Sequence, residues 1–114
     1  MLLLRAPVVA ALFFVLATPS EAAAPKRKAR VHHVTMQGMV FTPAQLTVRR
    51  GDTVIWENKD LVAHTATAGP KAAAPFDSGS IAVDTSFKWV ARKRGDYPYI
   101  CTLHPGMVGS LTVE

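Results

Sequence analysis

The sequence predicts an all-β single domain, an antiparallel or mixed sandwich or a small barrel, and three observations carry that expectation. Gly, Pro, Asn and Asp recur at close intervals through residues 31–114. Between them, β-branched and aromatic residues alternate at period two, and no stretch after the first twenty residues sustains a helical period. Size limits the number of cores to one, because half of a 114-residue chain buries too little apolar surface to fold unaided.

The elements follow in order. Residues 1–22 read as a signal peptide: Arg5 precedes an apolar run of 12 residues, Ala6 to Ala17, and the small residues Ser20 and Ala22 suit cleavage after Ala22. That run is shorter than the ~20 residues of a spanning helix, so no stable membrane insertion is expected after cleavage. The processed protein is expected in the periplasm or otherwise secreted. Residues 23–30 form a basic arm, Lys26, Arg27, Lys28 and Arg30 among Ala and Pro, and read as a flexible, solvated terminus. A second reading of the arm is electrostatic steering toward an acidic partner or a membrane surface. The domain, residues 31–114, holds 8 basic and 7 acidic groups, a net of +1. It lacks the spread of basic and aromatic residues that nucleic-acid binding requires, so no nucleic-acid partner is expected.

Within the domain, residues 31–36 alternate weakly. Residues 45–50 place Leu46 and Val48 on one face, Gly51-Asp52 turns the chain, and residues 53–57 place Val54 and Trp56 on one face and Ile55 on the other. Asn58-Lys59-Asp60 ends that run. The Ala/Gly/Pro-rich stretch 67–80 is the one place for a short helix or an irregular excursion. Residues 85–91 carry Phe87, Trp89 and Ala91 at period two, Gly95-Asp96 turns, 97–101 carries Tyr97, Tyr99 and Cys101, and 108–113 closes the domain.

The chemistry lies in Cys101-Thr102-Leu103-His104-Pro105-Gly106-Met107, where a thiol, an imidazole and a thioether follow at three-residue intervals. On a straight strand such residues face opposite ways, so they converge only if the backbone curls after Cys101, which Pro105 and Gly106 permit. A fourth donor is expected from His64, in an apolar segment after the Trp56 strand. One thiolate, two imidazoles and a weak thioether are the donor set of electron-transfer copper, whereas carboxylates suited to magnesium or calcium are missing from both segments. Taken singly, Met107 reads as core filler, His64 as a satisfied core histidine and Cys101 as an inert buried thiol. Together, in an exported chain with one cysteine and no disulfide, they read as a metal site of His64, Cys101, His104 and Met107. His32 and His33 read as surface residues.

On these residues the chain resembles the type 1 blue-copper proteins of the cupredoxin family, with a Cys-x-x-His-x-x-Met loop like that of its amicyanin branch. The resemblance extends through Met39-Val40-Phe41-Thr42-Pro43, Gly51-Asp52-Thr53-Val54-Ile55-Trp56 and His64-Thr65. It implies a Greek-key β-sandwich with one copper ion per chain, cycling between Cu(I) and Cu(II) and bound by His64, Cys101 and His104, with Met107 axial. It also implies a one-electron carrier whose redox partner proteins dock near His104, around Pro105, Gly106, Met39 and Leu61; separately, a monomer is expected. Thr65 stands where many relatives carry an asparagine that ties two ligand loops together, so that tie lacks its usual residue. The competing reading is a copper trafficking, storage or delivery module, for which Met36, Met39, His32 and His33 are a thin set of extra donors. Enzymatic readings fall away: after the site takes two of four histidines, too few remain for multicopper oxidation, and a Cys-His nucleophile has no orienting group.

Overall fold

The computed structural model describes residues 1–18 and 26–114; the expected cleavage point after Ala22 lies outside the described residues. Residues 1–18 carry no regular secondary structure, and among the described residues no helix is long and apolar enough to cross a membrane.

Eight strands form the domain: β1 (Val31–Gln37), β2 (Val40–Thr42), β3 (Gln45–Val48), β4 (Thr53–Asn58), β5 (Thr67–Ala68), β6 (Ser86–Val90), β7 (Gly95–Ile100) and β8 (Val108–Val113). They make two four-stranded sheets, ordered β2-β1-β4-β6 and β3-β8-β7-β5. Both sheets are mixed. β1 runs parallel to β4 and β3 parallel to β8, while the remaining pairs are antiparallel. This is the all-β sandwich that the alternation predicts.

Side chains at period two fill the space between the sheets. Val54 and Trp56 of β4 and Tyr97 and Tyr99 of β7 are all at most 1% exposed. Trp56 is central, its ring centroid 5.4 Å from Phe76, 5.8 Å from Phe87 and 5.5 Å from Tyr99. Gly109 is required opposite Tyr99: a Cβ there would stand 2.3 Å from the ring, so only a bare backbone admits the phenol into the core.

The stretch 67–80 contains no helix. It carries β5, and its backbone returns toward Asp77 and Phe76 through an isolated bridge and the Ala68 N–H to Phe76 O bond of 2.8 Å. Asp52 also differs from a plain turn residue, since it is 1% exposed. Its carboxylate accepts from the Arg30 and Arg49 N–H groups, both at 3.0 Å, and pairs with Arg27 at 2.6 Å and His32 at 2.9 Å. The basic arm, read from sequence as free, is therefore fastened to the domain at Arg27 and Arg30. His32 is half-buried on Asp52 and His33 is exposed beside Glu57, so both are spent away from the other histidines.

Candidate metal centre

β1 and β4 finish at the same end of the sandwich, and three connections meet there: Gly38-Met39 after β1, residues 59–66 after β4, and residues 101–107 after β7. Buried Asn58 organises the second of these. Its amide donates to Val62 O at 2.8 Å and Ile81 O at 2.9 Å, and its carbonyl accepts the Asp60 N–H at 2.9 Å. His64 is then held at full burial by paired backbone bonds with Ile81.

The third connection curls as the Pro105-Gly106 pair predicts. The Met107 N–H donates to His104 O at 3.0 Å and the Cys101 N–H to Met107 O at 3.0 Å, which folds residues 101–107 into a closed loop. Cys101 is 0% exposed, Met107 3%, and His104 is half-buried. The loop thus brings its thiol and thioether inward and leaves one imidazole at the surface.

His64 Nδ1 lies 3.7 Å from Cys101 Sγ. The His64 and His104 rings are edge to face with centroids 5.0 Å apart, and His104 Nε2 is 3.3 Å from Ala63 O. All four residues named from sequence sit at this end, with His64 and Cys101 in direct contact, but among the described residues no group of three or more His, Cys, Asp or Glu side chains stands close enough together to hold a metal ion.

Asp60 is a residue the sequence reading missed. Its carboxylate accepts from His64 Nε2 at 2.7 Å and from the Gly38 and Met39 N–H groups at 2.7 and 3.0 Å. The Met39 N–H foremost, then the His64 ring and the Gly38 N–H, hold this carboxyl below the usual range, against the opposing effect of burial. With the proton fixed on Nε2, the His64 Nδ1 lone pair faces the sulfur. The same carboxylate braces a hairpin turn in which Gly38 (φ 68°) and Met39 (φ 61°) are both left-handed, a conformation that costs a non-glycine residue energy. The available signal was the spacing Asp60-x-x-x-His64, read in sequence as a strand end.

Thr65 supplies the tie that the missing asparagine left open. Its N–H donates to Cys101 Sγ at 3.3 Å. Its hydroxyl accepts the Thr102 N–H at 2.8 Å and lies 3.0 and 3.1 Å from the hydroxyls of Thr67 and Thr102. The His64 and Cys101 segments are therefore stitched by a threonine network. A sulfur that accepts an N–H and faces an imidazole lone pair, with the one nearby carboxylate already occupied, fits a soft, thiophilic ion.

The family model for copper-binding proteins of the plastocyanin/azurin family matches residues 28–114. The chain belongs to this family. Its cofactor is copper. Among relatives of the cupredoxin, amicyanin of Paracoccus denitrificans is 30% identical over 83 residues, covering 71% of this chain and 63% of that protein. Plastocyanin of Nostoc punctiforme is 30% identical over 92 residues, covering 67% and 66%. The chain thus spans a little under two thirds of the length of these relatives. Among solved structures, an oxidised methionine-to-leucine variant of amicyanin superposes with TM-score 0.68 at 26% identity, over 73% of this chain and 81% of that one. A purple cupredoxin from Nitrosopumilus maritimus gives TM-score 0.67 at 26% identity, over 73% and 99%.

Proposed function

We propose that this cupredoxin is an exported, monomeric one-electron carrier with a type 1 copper site, in which His64, Cys101 and His104 are the strong ligands and Met107 the weak axial one. The observation that carries this reading is the buried Cys101 sulfur, faced by His64 Nδ1 and held by the Thr65 N–H. Copper supplies the exchange of one electron between Cu(I) and Cu(II). The chain supplies the stiffness: Asp60 sets the His64 ring, Thr65 ties the two ligand segments, and the 101–107 loop closes on itself, so little has to move when the charge changes.

Electron entry is assigned to His104. It lines a shallow cavity of about 370 Å³ with Met39, Pro105, Gly106 and Met107, and the exposed side chains of Met39, Leu61 and Leu103 lie on the connections at this end. An apolar rim around a half-buried imidazole suits brief docking of a redox partner, because it associates without charge pairs to break. The copper-delivery reading keeps one of its extra donors, Met39, exposed beside His104, while Met36 is fully buried in the core and His32 and His33 are spent on Asp52 and Glu57. One exposed methionine is fewer donors than hand-over of Cu(I) calls for, and this supports the electron-carrier reading in a periplasmic or otherwise secreted setting.

Among the described residues every core residue lies between Val34 and Val113, so residues 26–114 carry the whole of that core without the leader. The test is the visible spectrum of that domain titrated with Cu(II), beside Cys101→Ser. An intense thiolate-to-copper band at one equivalent, bleached by reductant, restored by oxidant and absent in the variant, is the expected result. Colourless or irreversible binding would overturn electron transfer in favour of copper delivery.

A further inference from the structure

We propose that the pole opposite the metal centre is a docking surface for anionic phospholipid membranes. This inference is independent of the metal reading. The net charge of +1 over residues 31–114 conceals a segregation that only the topology shows. The connections at the far end of the sandwich, Arg49-Arg50 between β3 and β4 and Arg92-Lys93-Arg94 between β6 and β7, are brought together by backbone bonds from Gly51 N–H to Ala91 O at 2.7 Å and from Arg50 N–H to Glu114 O at 2.9 Å. The Arg27–Asp52 pair then fastens the basic arm against the same end. Asp60 and Asp84 lie at the metal end: Asp60 is bonded to His64, and the Asp84 N–H bonds Asn58 O.

A concave surface of about 630 Å³ results, lined by Lys26, Arg27, Arg49, Arg50 and Arg94 with Glu114 as its one carboxylate. Of the other carboxylates at this end, Asp52 is buried and already neutralised by Arg27, and Asp96 is exposed two positions after Arg94 but outside the lining of the concavity, where it accepts the Thr112 hydroxyl at 3.2 Å. Among the described residues, Arg27 is the only Lys or Arg in an ion pair, so Lys26, Lys28, Arg30, Arg49, Arg50 and Arg94 present unpaired, exposed charge. No aromatic side chain lines the concavity, which removes a stacking platform for nucleic-acid bases. A surface rich in arginine and lysine attracts anionic headgroups by charge, at about fivefold in affinity for each residue near the bilayer.

Residues 26–30 are the part of the domain nearest in sequence to the leader, so while the uncleaved leader is held at the membrane during export the basic pole is the end of the domain that meets it first. A domain seated by this pole turns its metal end away from the lipid.

The experiment is co-sedimentation of residues 26–114 with vesicles of phosphatidylcholine alone and of phosphatidylcholine with phosphatidylglycerol, beside Arg49→Gln/Arg50→Gln/Arg94→Gln, with circular dichroism confirming that both fold. The expected result is binding to the phosphatidylglycerol vesicles only, weakened on the order of 100-fold by the three substitutions and released by salt. Absence of binding, equal binding to phosphatidylcholine, or a loss under about tenfold in the variant overturns the proposal. Binding to soluble polyglutamate that is tighter than to the anionic vesicles overturns it in favour of an acidic protein partner.

Discussion

Thr65 shows how one hydroxyl can stand in for an amide. Replacing it with valine keeps the shape and the N–H that reaches Cys101 Sγ, but leaves the partly buried Thr102 N–H without its 2.8 Å acceptor. Losing that bond and stranding its donor costs about 1–2 kcal/mol. Thr65→Val is therefore expected to lower the unfolding free energy by that amount, read as a lower urea midpoint, while retaining the thiolate-to-copper band, and an unchanged midpoint would remove the hydroxyl from the scaffold. The same residue marks what was legible at this scale. Cys101, His104 and Met107 announce themselves because they are chemically soft and fall within one seven-residue stretch. Asp60 does not, because a carboxylate that orients the His64 ring from another part of the loop looks in sequence like any polar residue after a strand. Thr65 was visible only as a departure, and its compensation runs through Thr102, 37 positions away.

Strands were readable where alternation ran for five residues or more, as in β4 and β7, whose buried positions are those the period selects. β2 and β5, with three and two residues, are too short to show a period; their partners in β1 and β7 define them. Gly109 links an element to the core: alanine there collides with a Tyr99 ring that is itself confined by Phe41 at 4.7 Å and Trp56 at 5.5 Å. Gly109→Ala is expected to cost about 1–3 kcal/mol in chemical denaturation, the usual range for an overfilled core. A neutral outcome would mean that β7 and β8 separate more easily than their six-residue register suggests.

Asp52 links three elements, and its ionisation makes that link depend on pH. Burial alone would raise its pKa, but the Arg30 N–H, Arg27, His32 and the Arg49 N–H together outweigh it and hold the carboxyl far below the ordinary range. A folded-state value below the unfolded one means that the stabilisation is complete above the unfolded pKa of about 4 and is lost as pH falls below it toward the folded value. Asp60, lowered in the same direction, adds a second contribution in the same window. The urea midpoint is thus expected to fall steadily below about pH 4. Asp52→Asn is expected to lose about 2 kcal/mol at neutral pH and to keep only the shallower acid dependence that Asp60 provides. An unaltered acid slope in that variant would show that the link between the arm, β1 and the β3–β4 turn contributes nothing to stability.

Taken whole, the molecule has two unlike ends, and sequence counts alone do not reveal them. Composition gives a nearly neutral domain, because charges are summed along the chain rather than sorted by the connections that carry them. The topology sorts them: connections after β3 and β6 fall at the basic pole, and those after β1, β4 and β7 at the metal end. Exchange at the metal end should therefore respond to local polarity and ignore charge at the far pole. Pro105 is exposed beside His104 and Met39, so a glutamate there must be desolvated, and must face its own copy, whenever two molecules meet rim to rim. A penalty of about 1–2 kcal/mol translates into roughly tenfold slower electron self-exchange, measurable by NMR line broadening of mixed Cu(I) and Cu(II) protein. Pro105→Glu is expected to show that slowing with an unchanged absorption band, while Arg49→Gln/Arg50→Gln/Arg94→Gln exchanges at the parent rate in high salt. A glutamate variant as fast as the parent would move the port away from His104, and slowing by the arginine substitutions would mean that the two ends do not work separately.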